Sequence, residues 1–99
     1  MSEYHAQNEK EVLLADAFLK VKNRQETLNF LRDLLTPVEL EEFAKRINIA
    51  KLLFDKKMSY QEIATKLSVS TTTVTRVAQW LKRGCGGYDL VLQRLASTS

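Results

Sequence analysis

Apolar residues recur along this chain at intervals of three and four, the spacing that lines up one face of a helix, and nowhere alternate in the rhythm of a strand. Asn8 with Glu11 marks a helix start. Val12, Ala15 and Leu19, with Leu14, Ala17, Phe18 and Val21, predict a first helix from about Asn8 to Val21. Asn23 with Glu26 repeats the signature and opens a second helix, with Leu28, Leu31, Leu34 and Leu35 on one side and Phe30 beside them. Thr36-Pro37-Val38-Glu39 is the strongest start in the chain: the threonine caps, the proline takes the first helical position, and the glutamate closes the box. This third helix is expected to reach about Phe54, with Leu40, Phe43, Ala44, Ile47, Ala50, Leu53 and Phe54 as its apolar stripe. Residues 1–7 carry no such pattern and are expected to be disordered.

The stretch Tyr60 to Val77 packs two short helical patterns around a break. Ile63, Ala64 and Leu67 form one apolar face, Ser68-Val69-Ser70 interrupts it, and Val74 and Val77 form a second. Helices joined by so short a turn cross at roughly 90–120°, as in a helix-turn-helix. Ala64 is small enough for the crossing, and Val69 would plug the turn into the core. Ser59 with Glu62 and then Ser70 supply the two N-caps. The fifth helix should stop at Gly84 in a left-handed cap. Gly84 to Gly87 then forms a flexible joint before a short sixth helix, Tyr88 to Leu95, with Leu90, Val91 and Leu95 inward. No internal repeat is visible. The expected fold is all-α.

The outward positions of the fifth helix are Thr71, Thr72, Thr73, Thr75, Arg76 and Gln79. Threonine is a poor helix former, so its concentration here needs a cause other than solvation. Short side chains let a helix sink into the major groove, where arginine and glutamine read guanine and adenine edges. Charge supports this. Residues 1–44 hold five Lys/Arg against nine Asp/Glu, a net of −4, whereas residues 45–99 hold ten against three, a net of +7. The basic half contains the two-helix pattern, the footprint expected of a surface that meets phosphates. Lys45, Arg46, Lys51, Lys56, Lys57 and Lys82 are candidate phosphate contacts, and Gln61 and Ser70 join the outward residues of the fifth helix as DNA-facing candidates.

Other chemistry finds little support. The single Cys85 can make no internal disulfide and no cysteine-based zinc site within one chain, and His5 stands alone near the start. There is no nucleophile with a base, no His–carboxylate pair and no glycine-rich phosphate loop, so neither an enzyme nor a cofactor is expected. No apolar run approaches a membrane span and no leader pattern is present, so a cytoplasmic location away from membranes is expected. Ninety-nine residues fit one domain. The first two helices are more apolar than a three-helix DNA-binding core requires, which calls for a second copy.

Leu34 to Lys82, about half the chain, resembles the Trp-repressor family. The resemblance rests on LLTPVELEEF (Leu34 to Phe43), Arg46, LLFDKKMSYQEIATKL (Leu52 to Leu67) and TTTVTR (Thr71 to Arg76). The tail GCGGYDLVLQRL (Gly84 to Leu95) is similar to the YerC/YecD branch. The resemblance implies six helices per chain in an entwined homodimer, with the helix-turn-helix at about 60–83 and dimerisation helices at about 8–54 and 88–96. It also implies an effector pocket, whose matching residues are Leu35, Thr36, Arg46, Arg76, Val77 and Trp80. Tryptophan-binding members carry glycine and serine at the last two positions. Valine and an indole would take the ligand's room, and Trp80 could fill its own chain's pocket with Arg76 stacked on it.

The expected function is that of a homodimeric transcriptional repressor binding a palindromic operator in double-stranded DNA, with tryptophan not its corepressor and any small-molecule effector unknown. The competing reading is a helix-turn-helix that binds a protein partner. Steep salt dependence belongs only to the first.

Overall fold

The computed structural model describes residues 3–97. Six helices follow one another: α1 (Glu9–Phe18), α2 (Arg24–Leu34), α3 (Pro37–Asp55), α4 (Tyr60–Leu67), α5 (Thr71–Arg83) and α6 (Gly87–Ser97). No strand occurs among the described residues. The all-α expectation of six helices holds. The chain divides into two compact units, Tyr4–Glu42 and the residues from Phe43 onward, with the boundary inside α3.

In the first unit, local side-chain caps set the helix starts. Asn8 and Asn23 accept the backbone N–H of Glu11 and Glu26 at 3.1 and 2.9 Å. The two glutamates reach one residue further back than a capping box requires, to the N–H of Gln7 and Lys22. Thr36 and Glu39 close their box in both directions, at 3.2 and 2.9 Å. The Tyr4 hydroxyl donates to Glu11 at 2.7 Å, so residues 4–7 are tied to α1 rather than disordered; Met1 and Ser2 lie outside the described residues. That phenol and the Gln7 N–H hold the Glu11 carboxyl below its ordinary range. The first helix ends at Phe18, short of the expected Val21, because the next cap, Asn23, needs extended backbone (φ −152°) and leaves only a few linking residues. Phe18 and Phe30 meet edge to face at 5.1 Å between ring centroids. Neither α1 nor α2 has a buried residue.

The second unit has a core. Ile49 and Ala50 of α3, Ile63 and Ala64 of α4, Val74 and Val77 of α5 and Leu92 of α6 are buried together. This corrects two expected faces. On α3 the deepest residue is Ile49, while Phe43 stays 47% exposed and Ala44 is exposed too. On α6 the inward residue is Leu92, whereas Leu90, Val91 and Leu95 are about half exposed. Both helices are apolar on more than one side, and spacing alone does not choose between sides.

The connection from α5 to α6 also differs from expectation. Gly84 is extended (φ −78°, ψ −153°), not left-handed. A side chain there would run into the Trp80 carbonyl oxygen, so glycine is required by close approach. The left-handed residue of this joint is Gly86, at φ 86°.

Candidate nucleic-acid interface

Strong local signals build the two helices of the motif. Ser59 and Glu62 form a complete capping box at 3.1 and 2.9 Å, and this holds the exposed Glu62 carboxyl below its ordinary range. α4 ends at Ser68 in a left-handed conformation (φ 55°), a position that costs any residue with a Cβ strain. The reversal lets the Val69 N–H return to the Ala64 carbonyl at 3.0 Å and brings Val69 against the core. Ser70 then caps α5 by accepting the Thr73 N–H at 3.1 Å.

With Val74, Val77 and Ala78 buried, the opposite side of α5 is fixed toward solvent. Ser70, Thr71, Thr72, Thr75, Arg76 and Gln79 lie there exposed, with Thr73 half-buried. Their hydroxyls divide into two groups. Thr75 donates to the Thr71 carbonyl at 2.9 Å, and Thr73 shares a bond with Ser70 at 3.0 Å, so these serve the helix itself. The side chains of Thr71, Thr72, Arg76 and Gln79 have no hydrogen-bond partner among the described residues, and neither does that of Gln61 on α4. They are free to meet a ligand.

Lys56, Lys57 and Lys82 are exposed and make no ion pair among the described residues. Lys45 is half-buried. Lys51 is paired with Asp55 at 3.1 Å, an exposed contact one turn apart, weak enough (about 0.3–0.5 kcal/mol) to yield to a phosphate. No group of side chains suited to hold a metal occurs among the described residues, and no helix there is long and apolar enough to cross a membrane.

Residues 9–96 match the Trp repressor protein family. The chain belongs to that family. It is 32% identical over 85 residues to the uncharacterized protein YerC of Bacillus subtilis, covering 86% of this chain and 81% of that one. It is 38% identical over 69 residues to a Trp operon repressor homolog of Actinobacillus succinogenes, covering 70% of this chain and 64% of that one. Among solved structures it is similar to a candidate Trp repressor from Staphylococcus aureus (TM-score 0.83, 30% identity, 91% and 89% of the two chains). It is also similar to a TrpR-like protein from Eubacterium eligens (TM-score 0.84, 33% identity, 91% and 92%).

Trp repressor membership directs attention to the effector candidates, which fall in both units. Leu35 and Thr36 belong to the first, where Leu35 ends α2 and Thr36 caps α3. The other four belong to the second. Val77 is 1% exposed and packs in the core with Ile63 and Leu92. The Arg46 guanidinium lies 5.6 Å from the centre of the Phe43 ring. No such contact joins Arg76 to Trp80 among the described residues, so the expected stacking is absent; Arg76 is exposed on α5. Trp80 is half exposed and lines an open apolar groove of about 550 Å³ with Ile47, Cys85, Tyr88 and Val91. Partial burial raises the Tyr88 phenol above its ordinary pKa of 10.0, and the charge of Arg46 opposes the shift.

Sequence reasoning treated Gly84 to Gly87 as a bare joint and missed this groove. The available signal was an aromatic residue directly after the glycines, which the reversal at Gly86 carries back toward Trp80.

Proposed function

We propose that the protein is a homodimeric transcriptional repressor that inserts α5 into the major groove of a palindromic operator. One observation carries this reading. The core grips one side of α5 and leaves the other as a row of unpartnered Thr71, Thr72, Arg76 and Gln79 side chains, with unpaired lysines nearby. Phosphate contacts from Lys56, Lys57 and Lys82 would position the helix, and Arg76, with the threonines and Gln61, would read bases. The two units form one domain in this reading, completed by a second copy that covers the apolar side chains of α1 and α2. The protein acts in the cytoplasm as a regulator, not as an enzyme.

Tryptophan is not the corepressor in this proposal. Val77 is buried in the core at a position where the family resemblance implies glycine in tryptophan-binding members, and an indole, Trp80, stands one turn beyond Arg76. A ligand with equal affinity for both states shifts nothing.

Selection of bound sequences from random duplex DNA, with and without tryptophan, tests both parts. The expected result is a two-fold symmetric site whose affinity falls steeply with salt and changes less than about tenfold with tryptophan. Salt-insensitive binding without sequence preference would favour a protein partner instead.

A further inference from the structure

The second unit holds a recess of about 760 Å³, within the size range of small-molecule sites, lined by no base-reading or effector candidate but by two of the proposed phosphate contacts, Lys56 and Lys82. Leu53, Phe54, Met58 and Leu81 supply apolar wall, and Ala78 contributes from α5. Polar groups reach it from four places: Lys56 after α3, Tyr60 at the start of α4, Lys82 near the end of α5 and Asp89 in the first turn of α6. Neither lysine is ion-paired among the described residues. Asp89 is already engaged, accepting from the Gln93 amide at 2.8 Å. Two ammonium groups against one carboxylate leave the recess with a single uncompensated positive charge.

We infer that this recess binds an amphipathic monoanion, a small molecule with an apolar body and one carboxylate. The body lies on Leu53, Met58 and Leu81, and the carboxylate meets Lys56 and Lys82 with the Tyr60 hydroxyl as a further donor. Charge and surface argue together here. A DNA phosphate, the partner proposed above for both lysines, leaves the apolar wall beside them without an occupant, whereas a bound carboxylate would compete with it for them. A neutral apolar ligand would leave the ammonium groups without a counter-charge. Through Ala78 and Leu81 the ligand touches α5, the helix whose outer side carries Arg76 and Gln79.

The test needs no DNA, so it stands or falls independently of the reading above. Sodium octanoate is titrated calorimetrically into the full chain in its native oligomeric state. The expected result is one saturable site per chain, with at least tenfold weaker binding of 1-octanol, of inorganic phosphate, and of octanoate to Lys56→Gln or Lys82→Gln. Lys20→Gln, in the other unit, is the control and leaves binding unchanged. Met58→Trp fills the recess and abolishes binding, and circular dichroism checks that it folds. No saturable octanoate site overturns the proposal. So does equal binding of octanol or of phosphate, or indifference to both lysine changes. A Met58→Trp variant that folds but loses its oligomeric state marks the recess as a seat for a second copy and also overturns it.

Discussion

The two units of this chain solve the burial problem differently. From Phe43 onward, four helices bring Ile49, Ile63, Val74, Val77 and Leu92 into one cluster nearly closed to water. Tyr4–Glu42 is as rich in leucine and as carefully capped, yet α1 and α2 bury nothing, leaving Leu13 and Leu19 at 70% and 80% exposure. Local hydrogen bonds therefore set where helices begin without making them stable, because most helical stability comes from packing an apolar face. One unit is a finished core. The other buries no residue of α1 or α2 within one chain, and in the function proposed above the same segment of another molecule would cover them.

The largest effect should come from breaking the finished core. Ile63→Ala is expected to lower the unfolding free energy by about 2–5 kcal/mol, measured by denaturant titration at fixed protein concentration. Leu13→Ala is the counterpart. A truly solvated leucine would cost less than about 0.5 kcal/mol. If a second copy covers it, the loss is larger and the Tm of the parent protein rises with concentration. A concentration-independent Tm with a well-folded monomer in light scattering would remove the homodimer.

The charged surfaces extend the contrast. Arg76→Ala should cost about 1–3 kcal/mol in specific DNA binding and relax preference at one base position. Lys57→Ala should weaken all sequences alike, and Lys20→Ala, in the acidic unit, should do neither. Filter binding on specific and scrambled duplexes separates these outcomes. Identical behaviour of Arg76→Ala and Lys57→Ala would collapse the distinction between base reading and phosphate contact.

A smaller effect is expected at the turn of the motif. Ser68 holds φ 55°, so Ser68→Gly should stabilise the second unit by about 0.5–1 kcal/mol in thermal unfolding. A loss would mean that the serine side chain supports the turn.

The smallest effect is one that both units share. The carboxyls of Glu11, Glu39 and Glu62 sit below their ordinary value of 4.5 because each accepts local hydrogen bonds as an anion. A depressed folded-state pKa adds stability that is complete above the unfolded value and is lost as pH falls through the folded one. Helicity should therefore weaken below about pH 4.5, and Glu62→Gln should flatten that loss for the second unit only.

The features legible from sequence were those decided within a few residues. Asn8, Asn23, Thr36, Ser59 and Ser70 all cap as their spacing predicts, and Val69 does pack into the core. The illegible ones depend on distant partners. Leu92 and Ile49 point inward because of what α3, α4 and α5 place opposite them, and nothing in their own helices separates them from Leu90 or Phe43. Gly84 was expected to supply a left-handed turn. Its actual constraint, the nearby Trp80 carbonyl, exists only once the chain has folded back. The outward side of α5 was readable as a set, but not that Thr73 and Thr75 would spend their hydroxyls on their own helix.

Trp80 is the only tryptophan in the chain, and it is half in water near the end of α5. The protein therefore carries its own optical reporter at the place where its states would differ. Excited near 295 nm, this one indole emits without a second tryptophan to blur the signal. Coverage by another chain should shift its emission to the blue and shield it from acrylamide, while a ligand confined to the recess around Met58 should leave its colour nearly unchanged. One fluorophore, already in place, would time assembly without interference from ligand entry.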